Sequence, residues 1–211
     1  MALVRETGEA DRALANVRAS LSLRPAFPEA ENLCGVLLSQ SSQAAEARTY
    51  LDQATREAPN LVDAWNNLGY VLLLQNDLPA SQKALERALA LAPDFPDALD
   101  NLGIVAARQG QEDKAQKLFE RALELDPANP QAGNNLGVLY AKRGRSDLAL
   151  QILQGVLDRN PEDEATLLNL ARLNLALHRT GEARQLLESW LARHPDDVPA
   201  TKLARQIDSQ R

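Results

Sequence analysis

The sequence predicts an all-α protein, an α–α superhelix built from stacked antiparallel helical hairpins. Three observations predict it. Pro25, Pro59, Pro93, Pro127, Pro161 and Pro195 are each 34 residues apart. Small residues and leucines fall into columns at the same step. Within each step, two helix-length stretches of apolar periodicity are separated by a turn signal.

The units run 28–61, 62–95, 96–129, 130–163 and 164–197. Their eighth place is Gly35, Gly69, Gly103, Gly137 and Ala171, and their twentieth is Ala47, Ser81, Ala115, Ala149 and Ala183. The seventh is Cys34, Leu68, Leu102, Leu136 and Leu170, and the twenty-fourth is Leu51, Leu85, Phe119, Leu153 and Leu187. Small residues at places 8 and 20 let the two helices of a hairpin approach closely, and the large apolar ones fill the space around that contact. One hairpin cannot bury its apolar faces alone, so neighbours must stack.

Punctuation agrees with the frame. Gly110 and Gly144, with Asn76 in place of glycine, mark the turn inside a hairpin. Each periodic proline ends a second helix, because it cannot continue the hydrogen-bond ladder. Pro28, Pro96 and Pro130 open first helices, where a missing N–H costs little, and Pro79 opens a second helix in the same way.

The flanks differ from the repeats. Residues 1–27 read as the back half of a unit, the second helix of a repeat, with Gly8 at the turn, Ala13 at the small place and Pro25 at the stop. A start in mid-unit suggests a piece of a longer array, or an array decayed at its edge. Such an edge would expose Leu14, Val17 and Leu21 and could dock a second copy, giving a homo-oligomer. Residues 198–211 read as a capping helix with Ala200, Leu203, Ala204 and Ile207 inward. Trp190 stands where earlier units hold Ala54, Ala88 and Ala122. Either it packs under that helix or it binds a ligand.

The columns resemble the tetratricopeptide repeat (TPR) family. WNNLGYVL at 65–72, LDNLGIVA at 99–106 and GNNLGVLY at 133–140 match its first-helix pattern. KALERALALAP at 83–93 and KLFERALELDP at 117–127 match its second-helix pattern and closing proline. The resemblance covers 28–197 fully and 1–27 in part. It implies a TPR solenoid acting as a protein-interaction scaffold, with the partner left open. An alternative is the regulatory or targeting arm of an enzyme on a longer chain.

Composition narrows the function. Lys plus Arg total 23 and Asp plus Glu 29, a net charge of −6, and no basic stripe offers itself to phosphates, so no nucleic-acid partner is expected. No apolar run reaches membrane-spanning length, so no direct membrane insertion is expected either. MALVRETGEADRA lacks the basic and apolar regions of a secretory signal, which leans toward a cytoplasmic setting. Cys34 is the single cysteine. It replaces a core leucine and reads as a buried, inert thiol.

No enzyme is expected. His178 and His194 fall at hairpin edges, without carboxylates or cysteine at metal-ligand spacing. The glycines belong to helix contacts and turns, not to a phosphate loop. No catalytic group, cofactor or metal is therefore assigned.

The remaining candidate is one face of the first helices. Places 2, 6, 9 and 13 share a stripe, since steps of four, three and four match the helical period. In the resembled family this stripe lines the concave groove. Place 6 is Leu33, Asn67, Asn101, Asn135 and Asn169, and place 5 is Asn32, Asn66, Asp100, Asn134 and Leu168. An asparagine inside a helix costs about 0.5–0.7 kcal/mol against alanine, so a run of them needs compensation. Either the amides bond neighbouring helices, or they form a ladder that clamps the backbone of a bound peptide, since a carboxamide offers the same donor and acceptor as a peptide group. Both can hold.

The predicted peptide-binding groove comprises Asn32, Asp63, Asn66, Asn67, Tyr70, Asp97, Asn101, Ile104, Arg108, Asn134, Asn135, Val138, Lys142, Asn169 and Arg172. Glu29, Asp63 and Asp97 make its first half acidic, while Lys142 and Arg172 make the second weakly basic. TPR domains that grip the C-terminal carboxylate of chaperones use Lys and Arg at places 2 and 6. Acids and asparagines stand there instead, so that function is disfavoured. PDFPDALDNLG at 93–103 is similar to repeats of O-GlcNAc transferase, which implies a binding mode and not an activity.

Overall fold

The computed structural model describes residues 2–208, with side chains at 8, 9 and 11–208. Among the described residues there are twelve α-helices and no strand. They are α1 (Ala2–Leu23), α2 (Pro28–Gln40), α3 (Ala44–Glu57), α4 (Val62–Leu74), α5 (Leu78–Leu91), α6 (Pro96–Arg108), α7 (Glu112–Leu125), α8 (Pro130–Lys142), α9 (Ser146–Arg159), α10 (Glu164–Ala176), α11 (Thr180–Leu191) and α12 (Val198–Asp208). The chain forms two compact units, residues 1–115 and 116–211.

Prolines open α2, α5, α6 and α8. The side chains of Asn129 and Asp163 accept from the N–H of Ala132 and Thr166, capping α8 and α10. Every turn inside a hairpin places one residue in the left-handed region: Ser42, Asn76, Gly110, Gly144 and His178. The next residue donates its N–H back across the turn, as Gln43 does to Leu38, Asp77 to Leu72 and Arg179 to Asn174. This six-to-one bond satisfies carbonyls that the helix end leaves unpaired.

Serine and histidine at this place carry a Cβ that glycine lacks. His178→Gly should therefore stabilise the second unit by about 0.5–1 kcal/mol, measured by urea denaturation.

Inside each hairpin the small and large columns meet. The twentieth-place residues Ala47, Ser81, Ala115, Ala149 and Ala183 are fully buried. A Cβ on Gly69 would lie 2.5 Å from Leu85 Cγ, so glycine sets the distance between α4 and α5. Ser81 Oγ donates to the Gly69 carbonyl at 2.7 Å, which makes a buried hydroxyl tolerable in the alanine column.

In the first unit, Leu14, Cys34, Leu38, Leu51, Leu68 and Leu72 belong to one core, with Val17 and Leu21 packed on it. Leu14, Val17 and Leu21 thus point inward, against the expectation that they form an exposed edge. Helix α1 supplies the second-helix surface that α2 would otherwise lack. It also runs unbroken through Gly8, where a turn was expected. Burial pushes the Cys34 thiol up from its ordinary pKa, which fits an inert thiol.

In the second unit, Leu153, Leu170, Leu187, Trp190, Leu203 and Ile207 share a core. Trp190 is packed against α12. Its indole N–H donates to Asp197 Oδ2 at 2.5 Å, while Asp197 Oδ1 accepts from the Ala200 N–H at 2.8 Å and caps α12.

Candidate functional site

The candidate site is the exposed stripe of the first helices, and each unit has its own. In the first unit α2, α4 and α6 contribute it. Asn67 Nδ2 donates to Asn32 Oδ1 at 2.9 Å, and Asn101 Nδ2 donates to Asn66 Oδ1 at 3.0 Å. Each sixth-place amide thus reaches back to the fifth-place amide of the preceding hairpin. In the second unit Asn169 Nδ2 donates to Asn134 Oδ1 at 2.9 Å, and Asn134 Nδ2 donates to Thr166 Oγ1 at 3.0 Å.

These bonds supply the compensation that helix propensity demands. A net gain of about 0.5–1.5 kcal/mol per hydrogen bond covers the cost of an asparagine in a helix. They also fix the amides in place. A carboxamide nitrogen has two N–H groups and its oxygen two lone pairs. One N–H of Asn67 and of Asn101 is used in these bonds, and the other N–H and the oxygen take no part in them.

The predicted residues separate by depth. Asn66 is buried and serves as an acceptor beneath the face. Asn32, Asn67, Asn101, Asn134, Asn135 and Asn169 are half-buried, as is Ile104. Tyr70, Asp63 and Asp97 are exposed in the first unit, and Val138, Lys142 and Arg172 in the second. Arg108 is exposed too, with Nη1 donating to the Leu73 carbonyl at 3.1 Å, so this cation folds back onto the end of α4.

A second polar series went unread in the sequence. Arg48 Nη1 donates to Gln75 Oε1 at 3.3 Å, Gln109 Nε2 to Gln82 Oε1 at 3.2 Å, and Arg143 Nη1 to Gln116 Oε1 at 2.7 Å. The signal was present: places 14 and 21 hold Gln75, Gln109, Arg143 and Arg48, Gln82, Gln116. These pairs join α3 to the end of α4, α5 to the end of α6 and α7 to the end of α8. They are scaffold contacts, away from the stripe.

No group of side chains that could hold a metal ion occurs among the described residues. No described helix is long and apolar enough to cross a membrane.

Stacked helical hairpins, tied hairpin to hairpin by side-chain amides and leaving one first-helix face open, define an α-helical repeat protein of the protein–protein interaction class. Tetratricopeptide repeat profiles match residues 60–128, 106–165 and 140–207, which together span 60–207, more than two thirds of the chain. The chain belongs to the tetratricopeptide repeat family. Among solved structures it is similar to PilW, a widely conserved type IV pilus biogenesis factor, with a TM-score of 0.79 and 22% identity over 94% of this chain and 92% of that one. It is similar to pilF of Pseudomonas aeruginosa, with a TM-score of 0.72 and 18% identity over 98% of this chain and 92% of that one. It is also similar to YrrB, a TPR protein with an unusual peptide-binding site, with a TM-score of 0.57 and 20% identity over 90% of this chain and 97% of that one. At these identities the likeness is one of fold. No curated protein matches the chain.

Proposed function

We propose that this chain binds an extended or helical segment of a partner protein on its first-helix stripe, with the asparagine amides gripping the segment's backbone. The observation that supports this most directly is the pairing of Asn67 with Asn32 and of Asn101 with Asn66. Each pairing holds a carboxamide in one orientation while sparing a donor and an acceptor. Amides held this way lose little further freedom on binding, so more of each new hydrogen bond appears as affinity. Tyr70 and Ile104 add apolar contact on the stripe of the first unit, and Val138 on that of the second. Backbone recognition would make binding tolerant of partner sequence, with side-chain preference set by the rest of the stripe.

The test is the triple exchange N67A/N101A/N135A. Peptides selected on the wild-type protein from a random displayed library should lose binding to it by about a hundredfold. The variant should stay helical, because the better propensity of alanine offsets much of the lost inter-hairpin bonding. Undiminished binding by the triple variant would refute the amide grip.

A further inference from the structure

The stripe of the first unit has features that the amides leave unexplained. Leu33, Tyr70 and Leu74 are 45%, 40% and 46% exposed on α2 and α4. Large apolar side chains grouped on one face mark a surface that meets something. Along one edge of this face stand Glu29, Asp63 and Asp97, all exposed, one at the second place of each of α2, α4 and α6. None of the three forms an ion pair among the described residues. Arg108 lies at the opposite end of the stripe, turned onto the Leu73 carbonyl.

Register makes the three carboxylates a row. The Asn67–Asn32 and Asn101–Asn66 bonds hold successive first helices side by side at matching height. Packed helices lie about 8–10 Å apart, so the carboxylates repeat at about that step. A polyproline II segment has three residues per turn and rises about 3.1 Å per residue, so it presents the same side every 9.3 Å or so. A β-strand turns alternate residues to opposite sides, and its every-third residue would face away.

We propose that the face formed by α2, α4 and α6 receives a cationic polyproline II segment of a partner protein, with Lys or Arg at every third residue against Glu29, Asp63 and Asp97 and apolar residues between them on Leu33, Tyr70 and Leu74. This rests on the peptide-binding reading given above and names the chemistry of the bound segment. The carboxylates supply side-chain preference and register, and the amides of Asn67 and Asn101 supply backbone grip.

Fluorescence anisotropy with the full chain tests it, using three labelled probes. One repeats the triplet Lys-Pro-Leu, one has the same composition in an order that breaks the three-residue spacing, and one repeats Glu-Pro-Leu. The first should bind about tenfold tighter than either of the others. Its advantage should fall as sodium chloride is raised and vanish in E29Q/D63N/D97N, whose exposed substitutions leave the fold in place by circular dichroism. Equal affinity for the Lys and Glu probes, with both lost in N67A/N101A, would overturn the cationic assignment and leave the amide grip standing. Equal affinity for the ordered and permuted Lys probes would overturn the three-residue register. If none of the probes binds, both the segment chemistry and the groove reading fall.

Discussion

Trp190→Ala is expected to destabilise the second unit by about 3–5 kcal/mol and to release α12 from it. Trp190 is only 3% exposed and shares a core with Leu167, Leu187, Leu203 and Ile207. Its ring stacks on His194 at a centroid distance of 4.1 Å. Its indole N–H holds Asp197, the same carboxylate that caps α12. Truncation therefore opens a cavity, removes the stack and frees the cap in one step. Hydrogen exchange over residues 198–208 should rise to nearly unprotected rates, while protection of α4 and α5 in the first unit stays as it was. Retained protection across 198–208 would show that the helix docks without the tryptophan. The alternative of a ligand-binding tryptophan at this place has no support in a ring so deeply packed.

Glu31→Leu should stabilise the first unit by about 3 kcal/mol at pH 8 and by little at pH 5. Glu31 stands at the place held by Trp65, Leu99 and Leu167 in other hairpins, and it is 1% exposed. Neither carboxylate oxygen has a hydrogen-bond partner. Burial, reinforced by the nearby charge of Glu57 and only partly opposed by Arg56, pushes its pKa up from 4.5 to about 7. The sign follows from where the protons sit. Between the two values the folded protein holds a proton that the unfolded chain has lost. Stability from this group is full below about 4.5 and is lost as pH rises through about 7. Leucine removes the titration, so the variant's denaturation midpoint should hold nearly level from pH 5 to 8 while that of the wild type declines. Parallel pH profiles for the two proteins would show that folding does not raise the pKa of Glu31.

Much of the architecture could be read in the residues because the repeat is written redundantly. Places 7, 8, 20 and 24 each hold one size class in five hairpins, and packing needs that size class. Proline and glycine add local signals whose effect on the backbone depends little on surroundings. The turns at Ser42 and His178 carry a weaker local signal than those at glycine, since both residues have a Cβ. Those turns form because the stacked helices on either side require them. Gly8 was misleading in the opposite way, since it lies inside α1 and marks no turn. Leu14, Val17 and Leu21 read as an edge, because a missing half-unit looks like missing cover. In the fold α1 itself provides the cover.

The candidate stripe was legible as a list of places but not as a set of bonds. A column of asparagines can face a partner or a neighbouring helix, and composition does not choose between them. What the chain alone determined was the hairpin repeat, the buried columns and the charge along the stripe, because each depends on residue type at a fixed spacing along one helix. Only the tertiary structure decided that Asn67 bonds Asn32, that Asn66 lies beneath the face, that Gln82 meets Gln109 and that Glu31 is buried without a partner. Those facts depend on distances between hairpins, and such distances are set by how side chains pack across a stack rather than by the period along it.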